Sequence, residues 1–72
     1  MEFEIQGDYI ELIKLLKYAN LVESGGEAKM VVDSGLVLVN GEQEYRKRKK
    51  LYPKDTVEFD GNEILIKSAV GL

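Results

Sequence analysis

Seventy-two residues with no cysteine, no histidine and a net charge of −3 allow one domain, residues 1–72, and exclude both disulfides and the usual zinc sites. A chain this short buries only about 60% of the surface it exposes when unfolded, so packing alone must hold a thin margin of stability. Residues 1–7 are acidic, unlike the basic and apolar opening of a signal peptide, and no apolar run approaches the ~18 residues of a membrane span, so a cytoplasmic protein in a reducing compartment is expected.

Phe3-Glu4-Ile5 alternates apolar with acidic and reads as a short edge strand, with Gly7 as a break. A helix is expected next. Asp8 and Glu11 form a D-x-x-E capping box, and Tyr9, Leu12, Ile13, Leu16 and Ala19 recur at helical spacing while Glu11, Lys14, Lys17 and Tyr18 lean outward. Asn20 suits a left-handed stop. A second helix follows at once, with Ser24 as N-cap of an S-x-x-E box completed by Glu27, a buried stripe of Ala28, Val31 and Val32, and Gly35 as terminator. The linker, residues 21–23, is too short to separate the two, which predicts an αα corner.

The period then changes from helical to alternating. Residues 36–39 are β-branched-rich, Asn40-Gly41 is the strongest two-residue hairpin signal, and residues 42–45 are expected to return. Residues 56–59 alternate, Asp60-Gly61-Asn62 turns, and Ile64-Leu65-Ile66 pairs back. The fold class is therefore α+β: two short packed helices against a small, mostly antiparallel sheet.

Charge is unevenly spread. Residues 29–54 carry +4 and the flanks −7, so a basic patch on an acidic body is a credible site for a polyanion despite the net negative charge. Its centre is Arg46-Lys47-Arg48-Lys49-Lys50, with Lys29 and Lys54 at the ends of the window. If the run is extended, Arg46, Arg48 and Lys50 share one face and Lys47 and Lys49 the other. Arginine can fork onto phosphate oxygens, whereas lysine offers a mobile point charge. The same run can also be read as a solvated charge cluster guarding a sheet edge.

A second anion site is expected at Gly25 and Gly26, where unpaired N–H groups of a helix's first turn meet a backbone without side chains. Lys29 lies one turn further on. Tyr45 and Tyr52 flank the basic run and could stack unpaired bases. Lys14, Lys17 and Tyr18 extend the patch if their helix face borders it. Catalysis is poorly supplied: no His or Cys is present, the remaining acid, base and nucleophile types fall into no constellation, and neither an enzyme, a cofactor nor a small-molecule substrate is expected.

From Tyr9 to Phe59 the sequence resembles the S4 RNA-binding domain, and in particular its small stand-alone bacterial members. The resemblance rests on Leu12 with Leu16, Leu21-Val22, Ser24 four residues before Ala28, Gly35-x-Val37-x-Val39-Asn40-Gly41, then Arg46, Leu51, Asp55 and Val57. It implies two helices packed on a small sheet, and binding of structured ribosomal or transfer RNA through the helices and the following hairpin. Gly25 stands where the family usually has an arginine after the serine, and Glu11 and Ile13 replace a common Arg and Asp; Lys29 keeps the basic position after Ala28. These replacements place the weight of RNA binding on residues 46–50, with ribosomal RNA during assembly as the expected target.

Two other readings remain open at this level. A β-grasp sulfur carrier shares the Val-Asn-Gly hairpin and a late acidic strand, but it needs a Gly-Gly carboxyl end, whereas this chain finishes Ala69-Val70-Gly71-Leu72. A docking module would use the same cations on an acidic protein.

Overall fold

The computed structural model describes residues 1–69, so the carboxyl-end residues weighed above lie largely outside the described residues. Seven strands and two helices appear in chain order: β1 (Glu2–Ile5), β2 (Ile10–Glu11), α1 (Leu12–Tyr18), α2 (Gly25–Asp33), β3 (Val37–Val39), β4 (Glu42–Gln43), β5 (Lys50–Leu51), β6 (Thr56–Phe59) and β7 (Asn62–Ser68). Five strands form one sheet in the order β1-β7-β6-β3-β4, and β2 pairs with β5 separately. All pairings are antiparallel except that of β1 with β7, which makes β1 a parallel edge strand.

Both hairpins turn on two residues with positive φ. Asn40 and Gly41 adopt 52° and 85°, and Asp60 and Gly61 adopt 53° and 78°, the conformation whose twist suits a tight β-hairpin. Asn62 therefore opens β7, opposite Phe59, instead of belonging to the turn. The return strand of the first hairpin pairs only through Glu42 and Gln43, shorter than residues 42–45 suggest. Asn40 also ties the hairpin to a later turn, since its side-chain oxygen accepts from Thr56 N–H at 2.9 Å and its amide donates to Asp55 at 3.1 Å.

The second helix follows its sequence signals closely. Ser24 Oγ accepts from Glu27 N–H at 3.2 Å, although the Glu27 carboxylate reaches back to Glu23 N–H at 2.7 Å, one residue before the cap. Gly35 ends this segment at φ 74°. A Cβ there would stand 2.8 Å from the Tyr45 hydroxyl, so glycine is required both for the backbone and for Tyr45 to lie over the turn.

The first helix departs from expectation at its start. It begins at Leu12 with Glu11 as N-cap and no side-chain cap bond, so the Asp8 to Glu11 capping box does not form. Instead Leu12 N–H donates to the Lys49 carbonyl at 2.9 Å and Ile13 N–H to the Lys47 carbonyl at 3.2 Å. The orphan donors of the first turn are thus satisfied by the backbone of the basic segment. The buried stripe is Leu12, Leu15 and Leu16, while Tyr9 lies outside the helix and 42% exposed. Asn20 takes the left-handed conformation, φ 60°, as its type suggests.

One core joins the layers. Leu12, Leu15, Leu16, Ala28 and Val32 from the helices and Val37, Val57 and Ile64 from the sheet have no accessible surface, and Leu51 of β5 joins them. Val22 in the interhelical linker is also buried, which pins the αα corner. Among the described residues no helix is long and apolar enough to cross a membrane.

Candidate nucleic-acid interface

Leu51 anchors the whole cationic region. Its side chain is fully buried, and its pairing with Ile10 sets the small β2–β5 ladder against the helices. The residues before it are not extended: Lys49 N–H donates to the Arg46 carbonyl at 3.2 Å, which closes a turn over residues 46–49. The run is therefore bent and not one extended strand, yet exposure still alternates along it: Arg46, Arg48 and Lys50 are exposed, while Lys47 and Lys49 are half-buried.

Three elements bring cations to one hollow. Lys14 of α1, Lys29 of α2, and Lys47 and Arg48 of the turn line it together, with Ile13 and Glu11. Arg48 also borders an adjoining hollow lined by Arg46, Lys49, Lys50 and Tyr52. Of Lys14, Lys17 and Tyr18, which the sequence alone leaves unplaced, only Lys14 lines this hollow.

Most of these cations already hold a carboxylate. Arg48 Nε donates to Glu11 at 3.1 Å, and Lys14 stands 3.9 Å from the other oxygen of the same carboxylate. Lys47 pairs with Asp33 at 3.1 Å. Arg46 grips Glu44 with both Nε, at 2.8 Å, and a terminal nitrogen, at 3.1 Å, while its backbone N–H donates to the same side chain at 3.0 Å. Chiefly through the side-chain hydrogen bonds of Arg46, the Glu44 carboxyl is lowered to about 2, against the opposing pull of burial; the Arg46 guanidinium is raised by the same bonds. Arg46 and Arg48 remain 69% and 80% exposed, so both keep a face toward solvent. Glu44 and Glu11 are only 13% and 17% exposed, but with the cations open to solvent each pair is worth about 1 kcal/mol, which makes exchange of a carboxylate for a phosphate inexpensive.

The S4 domain family model matches residues 3–67, nearly the whole described chain. The chain belongs to the S4 domain family. It is 42% identical over 57 residues to the Bacillus subtilis (strain 168) protein named "Probable ribosome maturation protein RlbA", covering 79% of this chain and 80% of that one. It is 40% identical over 58 residues to the Escherichia coli (strain K12) "Putative RNA-binding protein YbcJ", covering 81% and 83%. The solution structure of E. coli YbcJ, described as revealing an alfaL motif involved in RNA binding, superposes with a TM-score of 0.71 at 36% identity, covering 92% of this chain and 85% of that one.

The remaining site residues of this S4 domain sit less centrally. Gly25 and Gly26 open α2 with free space around them: a Cβ on Gly25 would meet nothing within 4 Å, and one on Gly26 only Ser24 Oγ at 3.8 Å. Approach to that backbone is unobstructed, although Glu27 keeps its carboxylate in the same turn. Lys54 instead lines a groove along β1 and β7, together with Glu2, Glu4 and Lys67. Tyr45 packs over Gly35 and Tyr52 stands in the arginine-lined hollow, so the two tyrosines that flank the run serve different places.

Proposed function

We propose that this S4 domain is a binding module for structured RNA, gripping phosphates with Lys14, Lys29, Lys47 and Arg48 and, around them, Arg46, Lys49 and Lys50. The observation that carries the proposal is the convergence of α1, α2 and the turn on one hollow lined by four cations and one carboxylate. Gly25 and Gly26 add backbone donors at the start of α2, one turn from Lys29. Membership of the family and the RNA-binding and ribosome-maturation names of its relatives support ribosomal RNA during assembly as the target. Nothing in this role requires catalysis.

The geometry favours backbone recognition. Four or five neighbouring cations suit closely spaced phosphates, and the turn over residues 46–49 presents them on a bend instead of a flat strand. Displacing condensed counterions with about five such contacts gives a log–log salt slope of about −4.5 on duplex RNA, taking the duplex coefficient as a guide. A filter-binding titration of a ribosomal RNA fragment across salt concentrations checks this. Absence of binding at low salt, or binding indifferent to salt, removes the reading.

A further inference from the structure

The β2–β5 ladder carries more than an anchor. Its register sets Ile10 opposite Leu51 and Glu11 opposite Lys50. Side chains alternate across a ladder, so with Leu51 turned into the core, Glu11 and Lys50 lie on the outer face with Tyr9 and Tyr52, the residues that flank the Ile10–Leu51 pair. Tyr9 and Tyr52 are 42% and 47% exposed. Their ring centroids stand 6.0 Å apart at an interplanar angle of 47°, and Lys50 Nζ lies 4.9 Å from the Tyr9 ring centre.

The tilt and spacing leave no slot between the rings for a flat group. They do make a supported platform: Lys50 covers Tyr9, Tyr9 backs Tyr52, and Tyr52 faces the hollow lined by Arg46, Arg48, Lys49 and Lys50. The backbone under Tyr52 is held firmly. Its N–H donates to Asp55 Oδ2 at 2.8 Å, Asp55 N–H returns to the Tyr52 carbonyl at 3.0 Å, and Asp55 is itself bonded to Asn40. A ring carried on a backbone held in this way, and backed by Tyr9, loses little freedom when a planar group stacks on it.

We propose that Tyr52, backed by Tyr9 and Lys50, is a stacking site for one unpaired base, so that the preferred ligand is RNA in which a paired stem meets a single-stranded nucleotide. This deepens the phosphate-binding reading and rests on it: the stem's phosphates occupy the hollow of Lys14, Lys29, Lys47 and Arg48, and the adjoining base leaves the stack to lie on Tyr52. A cross-strand aromatic pair can also serve stability alone, so the test must separate the base from both the phosphate charge and the fold.

Three probes do this on the full chain: a blunt RNA duplex, the same duplex with a short single-stranded extension, and the same extension built from abasic nucleotides. The two extended probes carry equal phosphate charge and differ only in bases. The base-bearing extension is expected to bind about 5- to 150-fold more tightly than the abasic one, the range found for single stacking contacts, with a ratio that salt leaves unchanged. Tyr52→Leu should erase that ratio while Tyr52→Phe keeps it, each variant's two extended probes being compared with each other and with its own affinity for the blunt duplex. Equal affinity for the two extended probes, or a ratio that survives Tyr52→Leu, overturns the stacking site and leaves the phosphate reading standing. Failure to bind any of the three overturns both.

Discussion

Two regions of this S4 domain carry lysines beside carboxylates, and they are built for different ends. Where α1, α2 and the turn over residues 46–49 meet, four cations share a hollow with Glu11. Along β1 and β7, Lys54 and Lys67 share a groove with Glu2 and Glu4, and Lys67 is paired with Glu2 at 3.2 Å. The first region has an excess of positive charge that a polyanion can satisfy, while the second is balanced within itself. A chain total of −3 conceals this, because a surface potential follows local clusters instead of sums.

The largest test of the contrast is to empty the first region. Replacing Lys14, Lys29, Lys47 and Arg48 together by alanine is expected to weaken binding of a ribosomal RNA fragment by between about 100- and 1000-fold, at up to about 1 kcal/mol per exposed contact. The salt slope should fall by about 3.6, which is the more specific outcome because misfolding would abolish binding without giving a shallower slope. A thermal melt close to that of the wild type is the control. An unaltered slope would mean that the phosphates bind elsewhere.

How much of this region could be read from the sequence depends on how far apart its parts lie along the chain. The Ser24 cap, the Asn40-Gly41 turn and the Ala28, Val31, Val32 stripe are local, with each signal only a few residues from its partner, and all appear in the structure. The start of α1 is different. Its first donors bond to Lys49 and Lys47 carbonyls across more than thirty residues, a tertiary substitute for the side-chain cap that Asp8 and Glu11 suggest. Freed from capping, Glu11 bonds Arg48 instead. The same long-range ladder withdraws Tyr9 from the helix stripe and sets it beside Tyr52. The cations were visible as a cluster; the membership of Lys14 depends on α1 lying against the turn, which no local pattern encodes.

Next in size is the carboxylate inside the cationic hollow. Glu11 holds Arg48 and approaches Lys14, and an incoming phosphate must displace it. Glu11→Gln removes the competitor and is expected to tighten RNA binding by up to about 5-fold, measured in the same titration. A weaker complex would show that Glu11 positions Arg48 productively. A smaller effect is expected at Glu44, whose carboxyl is lowered to about 2 by Arg46 and whose contribution to stability is therefore complete above its ordinary value of 4.5 and lost as pH falls toward 2. Because Arg46 is 69% exposed, screening limits the gain, and Glu44→Gln should lower Tm at pH 7 by no more than about 8 °C. The difference from wild type should shrink on acidification between those two values; a constant difference would trace it to packing.

The smallest change in affinity is expected at Lys54, and there the two regions can be told apart with one substitution. Residues 52–55 form a turn closed by Asp55 N–H on the Tyr52 carbonyl, with Pro53 at its second position and Lys54 at its third with φ 83°. That is the pattern of a type II turn, whose third position favours glycine because a Cβ is strained at positive φ. Lys54→Gly should therefore stabilise the fold, by about 0.5–1 kcal/mol once the greater freedom of unfolded glycine is set against the strain relieved. If the groove along β1 and β7 is as self-contained as its charges indicate, RNA affinity should change by less than about twofold, since Glu2 and Glu4 in the same groove offset the charges of Lys54 and Lys67. A rise in Tm with an unchanged salt slope would separate the role of Lys54 in the turn from phosphate binding. A slope lowered by about 0.9 would mean that the RNA reaches past the hollow to the sheet edge, and the proposed interface would have to be enlarged to include it.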